Sequence, residues 1–295
     1  MLQADGLRFQ KDVLLRKTRR MPAPGQVSVR EGDLVSPETI VARGTVLNPE
    51  IHEVRIHAQL DIDPTEIEKY MLKTAGDDVK KDEIIAIHRS FFGRYTKVCR
   101  SPIDGIIESL SKSSGRVLIR GKPIPVDVRA YVPGRVVDTI PNEGAVIECQ
   151  ASIIQGVFGI GGETVGELIM AVNEPDETLP AELISPKHKA KVIAGGSFVT
   201  IDAIRRAARS GVHGIISGGM DQKDLTDFLG YEMGVGITGR EKAGLTLILT
   251  EGFGVHPMEE GVFNLLKSHQ GKQVSIDGST QIRTRMLRPE IIIPE

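Results

Sequence analysis

The chain contains no tryptophan, and aromatic residues make up only 4% of its 295 positions. Proteins that hold single-stranded nucleic acid stack its bases on aromatic rings, so that class is disfavoured at once. Charge points the same way. The 37 Lys and Arg are set against 39 Asp and Glu, a balance of −2, which draws in neither nucleic acid nor an anionic membrane. The first segment is locally basic, at Arg8, Lys11, Arg16, Lys17, Arg19 and Arg20, and this stretch reads as a solvated or partner-facing edge. Cysteine is scarce too. Cys99 and Cys149 form no C-x-x-C pair and both sit in strand-like runs, which predicts reduced, buried thiols in a cytoplasmic protein. The seven histidines are scattered, and His52 and His57 lie five apart on an alternating run, so no metal site is expected. No run approaches the roughly 18 apolar residues of a membrane span, and the N-terminus has no signal-peptide apolar stretch. Nucleophile-elbow, triad-order and kinase signatures are missing as well.

What is present begins with a repeat. Gly32-Asp33-Leu34-Val35 recurs as Gly76-Asp77-Asp78-Val79, and Ile40-Val41-Ala42 recurs as Ile84-Ile85-Ala86, each at an offset of 44. In both copies Gly-Asp supplies a tight turn, because glycine tolerates positive φ and aspartate bonds nearby backbone. The β-branched run that follows is strand-like. The second copy leads on to Ser101-Pro102-Ile103-Asp104-Gly105-Ile106-Ile107, a turn at Gly115 and the run Val117-Leu118-Ile119.

With these residues in place the chain resembles the biotinyl/lipoyl-attachment family, loosely from residue 25 to about 120 and best over 76–119. The family shows a Gly-Asp-x-Val hairpin, a modified-lysine turn, then Ser-Pro-x-x-Gly and a returning strand. The resemblance implies a barrel-sandwich hybrid in which two hairpin halves close one barrel. It also places the carrier lysine seven residues before Ser101, where this chain has Arg94. A guanidinium forms no such amide and stays protonated. The fold is therefore expected without the carrier chemistry and without a cofactor. The whole chain also resembles a bacterial family, and that likeness implies no activity.

At 295 residues, with 40% apolar and 26% charged positions, about two domains are expected. The expectation is an α+β protein. Residues 1–172 form a barrel-sandwich hybrid with further strands and a helix inserted over 65–73, opened by Asp63-Pro64. Residues 173–188 form an acidic, proline-containing linker, and 189–295 a small α/β domain with a mostly parallel sheet. The glycine-dense loop Gly156–Gly162 lacks the Lys-Ser/Thr pair of a phosphate loop and reads as tight turns or close backbone packing.

The strongest site signal lies after residue 190. Three predicted strands end on glycine: Lys191–Ala194 on Gly195-Gly196-Ser197, Val212–Ile216 on Gly218-Gly219, and Leu245–Leu249 on Thr250-Glu251-Gly252-Phe253-Gly254. In an open α/β sheet these carboxyl ends share an edge where ligands bind, and the helix starts that follow offer N–H groups to an anion. The candidate ligand residues are Gly195, Gly196, Ser197, Gly218, Gly219, Asp221, Thr250, Glu251, Gly252 and Gly254. Asp221 and Glu251 fit either a carboxylate pair for acid–base work or Mg²⁺, or a helix cap and a solvated side chain. His256 reads as structural, and Arg283, Arg285 and Arg288 as a basic strand.

Two functions follow. One is a non-enzymatic binding or assembly protein, an unmodified barrel joined to an α/β platform for a ligand or a protein partner. The other is an enzyme or sensor that binds a phosphorylated or nucleotide-like small anion at the glycine-ended strands.

Overall fold

The structure, a computed structural model, describes residues 9–90, 95–230, 244–280 and 288–295. It is mostly β, with one large mixed sheet and few helices. Among the described residues no helix is long and apolar enough to cross a membrane. The chain separates into two compact units. The larger holds residues 9–20, 27–42 and the described residues from 128 onward, and the smaller holds 21–26 and the described residues of 43–127.

Both Gly-Asp turns form, and they form alike. Gly32 and Gly76 adopt φ of +93° and +95°, which explains why glycine stands there. Asp33 accepts from the Arg30 N–H at 2.8 Å, and Asp77 from the Thr74 N–H at 2.7 Å. The Gly32 and Gly76 N–H groups donate to Val136 O and Ile107 O, each at 2.8 Å. In return the Val136 and Ile107 N–H groups donate to Asp33 O and Asp77 O.

The partners repeat as well. Strand Gly134–Ile140 pairs with Leu34–Val35 as Gly105–Ser111 pairs with Asp78–Val79. Each partner strand opens on a glycine whose Cβ would strike a carbonyl of the next strand, Glu148 O for Gly134 and Arg120 O for Gly105. The repeat is thus a whole module, and the expected single barrel from two hairpin halves is corrected: each hairpin has its own partner strand, and the copies fall in different units. In the second module strands Ile84–Ser90 and Tyr95–Arg100 pair with each other, with 91–94 between them. At the matching point of the first, between Ile40–Val46 and Ile124–Arg129, the sequence holds residues 47–123. One module is therefore inserted in the other at its hairpin tip. Arg94, at the expected lysine position, lies outside the described residues.

In the smaller unit Val54, Ile56, Leu60, Ile67, Val79, Ile85, Cys99, Ile107, Val117 and Ile119 form one core. The helix expected over 65–73 is a 3₁₀ segment, Pro64–Lys69, capped by Asp63 accepting from the Thr65 N–H at 2.8 Å. An α-helix occurs earlier, at Ile56–Leu60, where an alternating strand was expected to continue. Ile56 and Leu60 are both fully buried. Four residues apart, they share a helical face, and burial of that pair overrides the alternation.

The large sheet runs in the order Phe158–Ile160, Thr246–Phe253, Gly214–Met220, Lys191–Ala194, Glu163–Met170, Gln273–Asp277, Glu290–Pro294, Gly144–Gln155. Four neighbours, from Thr246–Phe253 to Glu163–Met170, are parallel, as the strand–helix alternation predicts. The strands around them are antiparallel, so the sheet as a whole is mixed. Phe9–Arg20, read as an edge segment, is a 12-residue strand that pairs along Gly144–Gln155, with a bulge at Asp12.

Helices cover both faces of the sheet. Ile201–Ser210 is capped by Thr200, which accepts from the Ala203 N–H at 3.2 Å. It buries Ala203, Ile204 and Ala207 against Ile193, Ile215 and Leu247. Ile204 alone is worth roughly 1.5–3 kcal/mol in that position. Glu260–Ser268 covers the opposite face, packing Val262, Phe263, Leu265 and Leu266 on Val192, Ile216 and Ile248. The segment 173–188 lies within the larger unit. Its strand Thr178–Leu179 runs parallel to Phe198–Val199, and Leu179 and Ile184 are in the core.

Candidate functional site

The carboxyl ends of the parallel strands do converge. The Gly195 N–H donates to Ile216 O at 2.8 Å, the Gly218 N–H to Gly196 O at 2.7 Å, and the Gly254 N–H to Met220 O at 2.9 Å. Gly195, Gly196, Gly218, Gly219 and Gly252 are buried, and what lies over them is the chain itself. A Cβ on Gly196 would strike Glu177 O, one on Gly218 would strike His256 O, and one on Gly219 would strike Gly254 O. A Cβ on Gly195 would meet Leu179 at 2.9 Å. Glycine at these positions lets loops 174–177 and 252–256 close onto the strand ends. Gly252 and Gly254 adopt φ of +116° and +108°, which the loop needs for its reversal.

The polar candidates there have partners within the fold. Ser197 is buried, its hydroxyl donating to Asp176 O at 2.6 Å and its N–H to Glu177 O at 2.8 Å. Thr250, also buried, donates to Ser217 O at 3.4 Å. Asp221 caps the helix Gln222–Leu229, accepting from the Lys223 and Asp224 N–H groups at 2.8 and 3.0 Å. Glu251 accepts from the Glu259 N–H at 3.2 Å. The two carboxylates are thus held by different backbone segments. His256 is exposed and its Nε2 donates to Phe253 O at 2.9 Å. The surface over this edge is acidic, with Glu174, Asp176, Glu177, Asp221 and Glu259 all exposed, and Val255 is 66% exposed beside them. Among the described residues no group of three or more His, Cys, Asp or Glu is arranged to hold a metal ion. Arg283 and Arg285 lie outside the described residues, and Arg288 is exposed.

The opposite edge holds a second feature. At the amino ends of Gly214–Met220 and Thr246–Phe253 there is an open cavity of about 410 Å³. Val212 and Leu245 give it an apolar floor, and Gly162, Gly211, Thr164 and His213 stand around it. His213 is exposed, and its Nδ1 donates to Val165 O at 2.6 Å, a carbonyl being able only to accept. Thr246 donates to Gly162 O at 2.8 Å. Gly161 and Gly162, the end of the glycine-dense loop read from the sequence, line the cavity, whereas the glycine-ended strands draw attention to the other edge.

The basic N-terminal stretch also acquires partners. Arg16 pairs with Glu148, Lys17 with Glu290, Arg19 with Glu163 and Arg20 with Glu143. Arg19 is the buried one. It forks onto both Glu163 oxygens, with one contact at 2.6 Å, and donates to Arg129 O at 2.8 Å. Its guanidinium and the Lys17 ammonium lie 5.2 and 5.3 Å from the ring centre of Tyr131. Tyr131 has φ +69° and is 2% exposed, and its hydroxyl is buried with no hydrogen-bond partner among the described residues. Burial, followed by the nearby charges of Glu290, Asp277 and Glu163, pushes the phenol well above its ordinary range.

No family model matches the chain, and no curated protein or solved structure matches it. Geometry and chemistry therefore carry the functional reading.

Proposed function

We propose that this chain is a non-enzymatic binding or assembly protein. In this reading its two β modules are barrel-sandwich hybrids of the biotinyl/lipoyl type used as unmodified scaffolds, and the helix-covered part of the sheet is the platform for a protein partner. One observation carries it. The glycines at the carboxyl ends of the parallel strands receive the chain's own carbonyls from loops 174–177 and 252–256, so that edge is a closed surface. Closed and acidic, with exposed Val255 among its carboxylates, it suits a partner with a basic docking segment better than it suits an anion.

A photo-crosslinking residue at position 255, introduced in the native host, tests this. A discrete protein adduct is expected, and Asp176→Lys with Glu177→Lys should abolish it while the melting temperature holds. The competing small-molecule reading makes a different forecast. A nucleotide, phosphosugar or divalent ion at a hundred times its Kd would raise stability by about 2.7 kcal/mol. If one of these stabilises the protein and substitution of Ser197 removes the effect, the partner-binding reading is overturned.

A further inference from the structure

We infer that the outer edge of strand Phe9–Arg20 takes up an extended acidic segment of a partner protein as a further strand of the large sheet. This surface is separate from the acidic edge around Val255, and the inference does not rest on that one. Among the described residues Phe9–Arg20 pairs only with Gly144–Gln155, so one side of a 12-residue strand stands unpaired at the margin of the sheet. Exposed strand edges are templates for strand addition, in which main-chain hydrogen bonds give affinity and alternate side chains give specificity.

The register shows which groups face outward. In an antiparallel ladder, residues that bond the neighbouring strand alternate with residues that do not. Gln150, opposite Leu14, turns its carbonyl the other way, accepting from the Glu295 N–H at 3.0 Å. Toward the end of the strand the Arg19 carbonyl points at Gly144, where a Cβ would strike it. Val13, Leu15, Lys17 and Arg19 therefore bond Gly144–Gln155, and Leu14, Arg16 and Thr18 direct their N–H and C=O groups outward. Among the described residues those outward groups have no hydrogen-bond partner. The three side chains share one face, and all are exposed, Leu14 to 62%.

Two side chains set the chemistry of the occupant. Arg16 meets Glu148 through Nε alone, at 2.7 Å, and among the described residues both terminal nitrogens of this exposed guanidinium are left for a carboxylate on the added strand. Leu14, two residues away on the same face, is matched by an apolar side chain. A second copy of the strand fits poorly. Two-fold pairing about Arg16 or about Lys17 sets that cation directly against its own image, which destabilises a cross-strand pair. Pairing about Leu14 runs the ladder into the bulge at Asp12, whose N–H donates to Ser152 and whose carbonyl accepts from Gln150.

The probe is a blocked peptide with leucine and glutamate two apart on one face and valine on the other. Its two counterparts carry lysine for glutamate, or N-methyl groups on the amides that face the edge. Fluorescence anisotropy with the full-length chain gives affinity, and amide hydrogen exchange locates the contact. The glutamate peptide is expected to bind and to slow exchange at Leu14, Arg16 and Thr18. The lysine and N-methyl peptides should each bind about tenfold more weakly or worse, corresponding to about 1.4 kcal/mol. Thr18→Pro removes one outward N–H and no bond to Gly144–Gln155, so it should abolish binding with the melting temperature held. Arg16→Glu keeps the backbone edge and should reverse the preference toward the lysine peptide. The inference is overturned if the glutamate peptide does not bind, if either counterpart binds as well, if Arg16→Glu leaves the preference unchanged, or if the chain alone forms a dimer that Thr18→Pro dissolves. The crosslinking at position 255 is read independently of all these outcomes.

Discussion

Tyr131→Phe should make this protein more stable, although it removes a polar group from a buried position. The tyrosine ring stacks against Lys17 and Arg19, its N–H donates to Pro37 O at 2.9 Å, and its carbonyl accepts from the Ser275 hydroxyl. Phenylalanine keeps the ring and all these backbone contacts. What it loses is a hydroxyl that is desolvated and, among the described residues, receives no hydrogen bond in return. Burying such a group costs about 1–3 kcal/mol in proteins. The small void left by one oxygen and a slightly weaker cation–π contact offset part of the gain. The net expectation is a stabilisation of about 1 kcal/mol, or roughly 2–4 °C in melting temperature for a unit of this size. Urea and thermal unfolding followed by far-ultraviolet circular dichroism suit a chain without tryptophan. Alkaline pH gives a second reading. The folded phenol titrates above its unfolded value near 10, so the folded state keeps a proton the unfolded state has lost. Stability contributed by this group is complete below pH 10 and declines above it, and Tyr131→Phe should flatten that decline. A loss of 1 kcal/mol or more in the Phe variant at neutral pH would refute the reasoning, since it would mean that the hydroxyl has a favourable partner in the folded protein.

Cys99 predicts a decline that sets in at lower pH: burial pushes its thiol up to about 11 from 9.0, so stability should be lost between pH 9 and 11, by about 2–3 kcal/mol. Urea midpoints of Cys99→Ala should hold steadier over that window, and an unchanged slope would count against the assignment. Gly105→Ala and Gly134→Ala should each cost about 1–3 kcal/mol, because each Cβ would strike the equivalent carbonyl of its module. Free tolerance of either in thermal unfolding would break the equivalence of the two modules. Arg19→Ala should cost about 2–3 kcal/mol, a buried-pair loss reduced because the Glu163 side chain is 36% exposed. Arg16→Ala, whose side chain is 68% exposed, should cost less than about 1 kcal/mol in the same melts.

Several local features were legible in the residues. Offset 44 located both Gly-Asp turns, since a turn needing positive φ and an aspartate acceptor carries its own chemistry. Asp221 is the helix cap that was one of its two readings, and strand Lys191–Ala194 has the bounds read from the residues. Other elements escaped. Strands Phe158–Ile160 and Glu163–Met170 flank glycines that read as loop, and only pairing with Thr246–Phe253 and Gln273–Asp277 makes them strands. The helix Ile56–Leu60 sits in a run whose period is two, and the burial of Ile56 and Leu60 decides against it.

The sequence by itself determined the hairpin turns, the helix caps and the glycine-rich strand ends, because each depends on the φ freedom or side-chain bonding of residues close together in the chain. Tertiary structure alone decided which strand each hairpin meets. The partner of Gly76 lies at Ile107, but that of Gly32 lies at Val136, beyond the whole inserted module. It also decided that the strand-end glycines receive backbone from the same chain, and that His213, Gly162 and the end of a helix share one cavity. Contacts of that kind join residues from 19 positions apart, Gly196 and Glu177, to 104, Gly32 and Val136, and no local propensity encodes the partner at the other end.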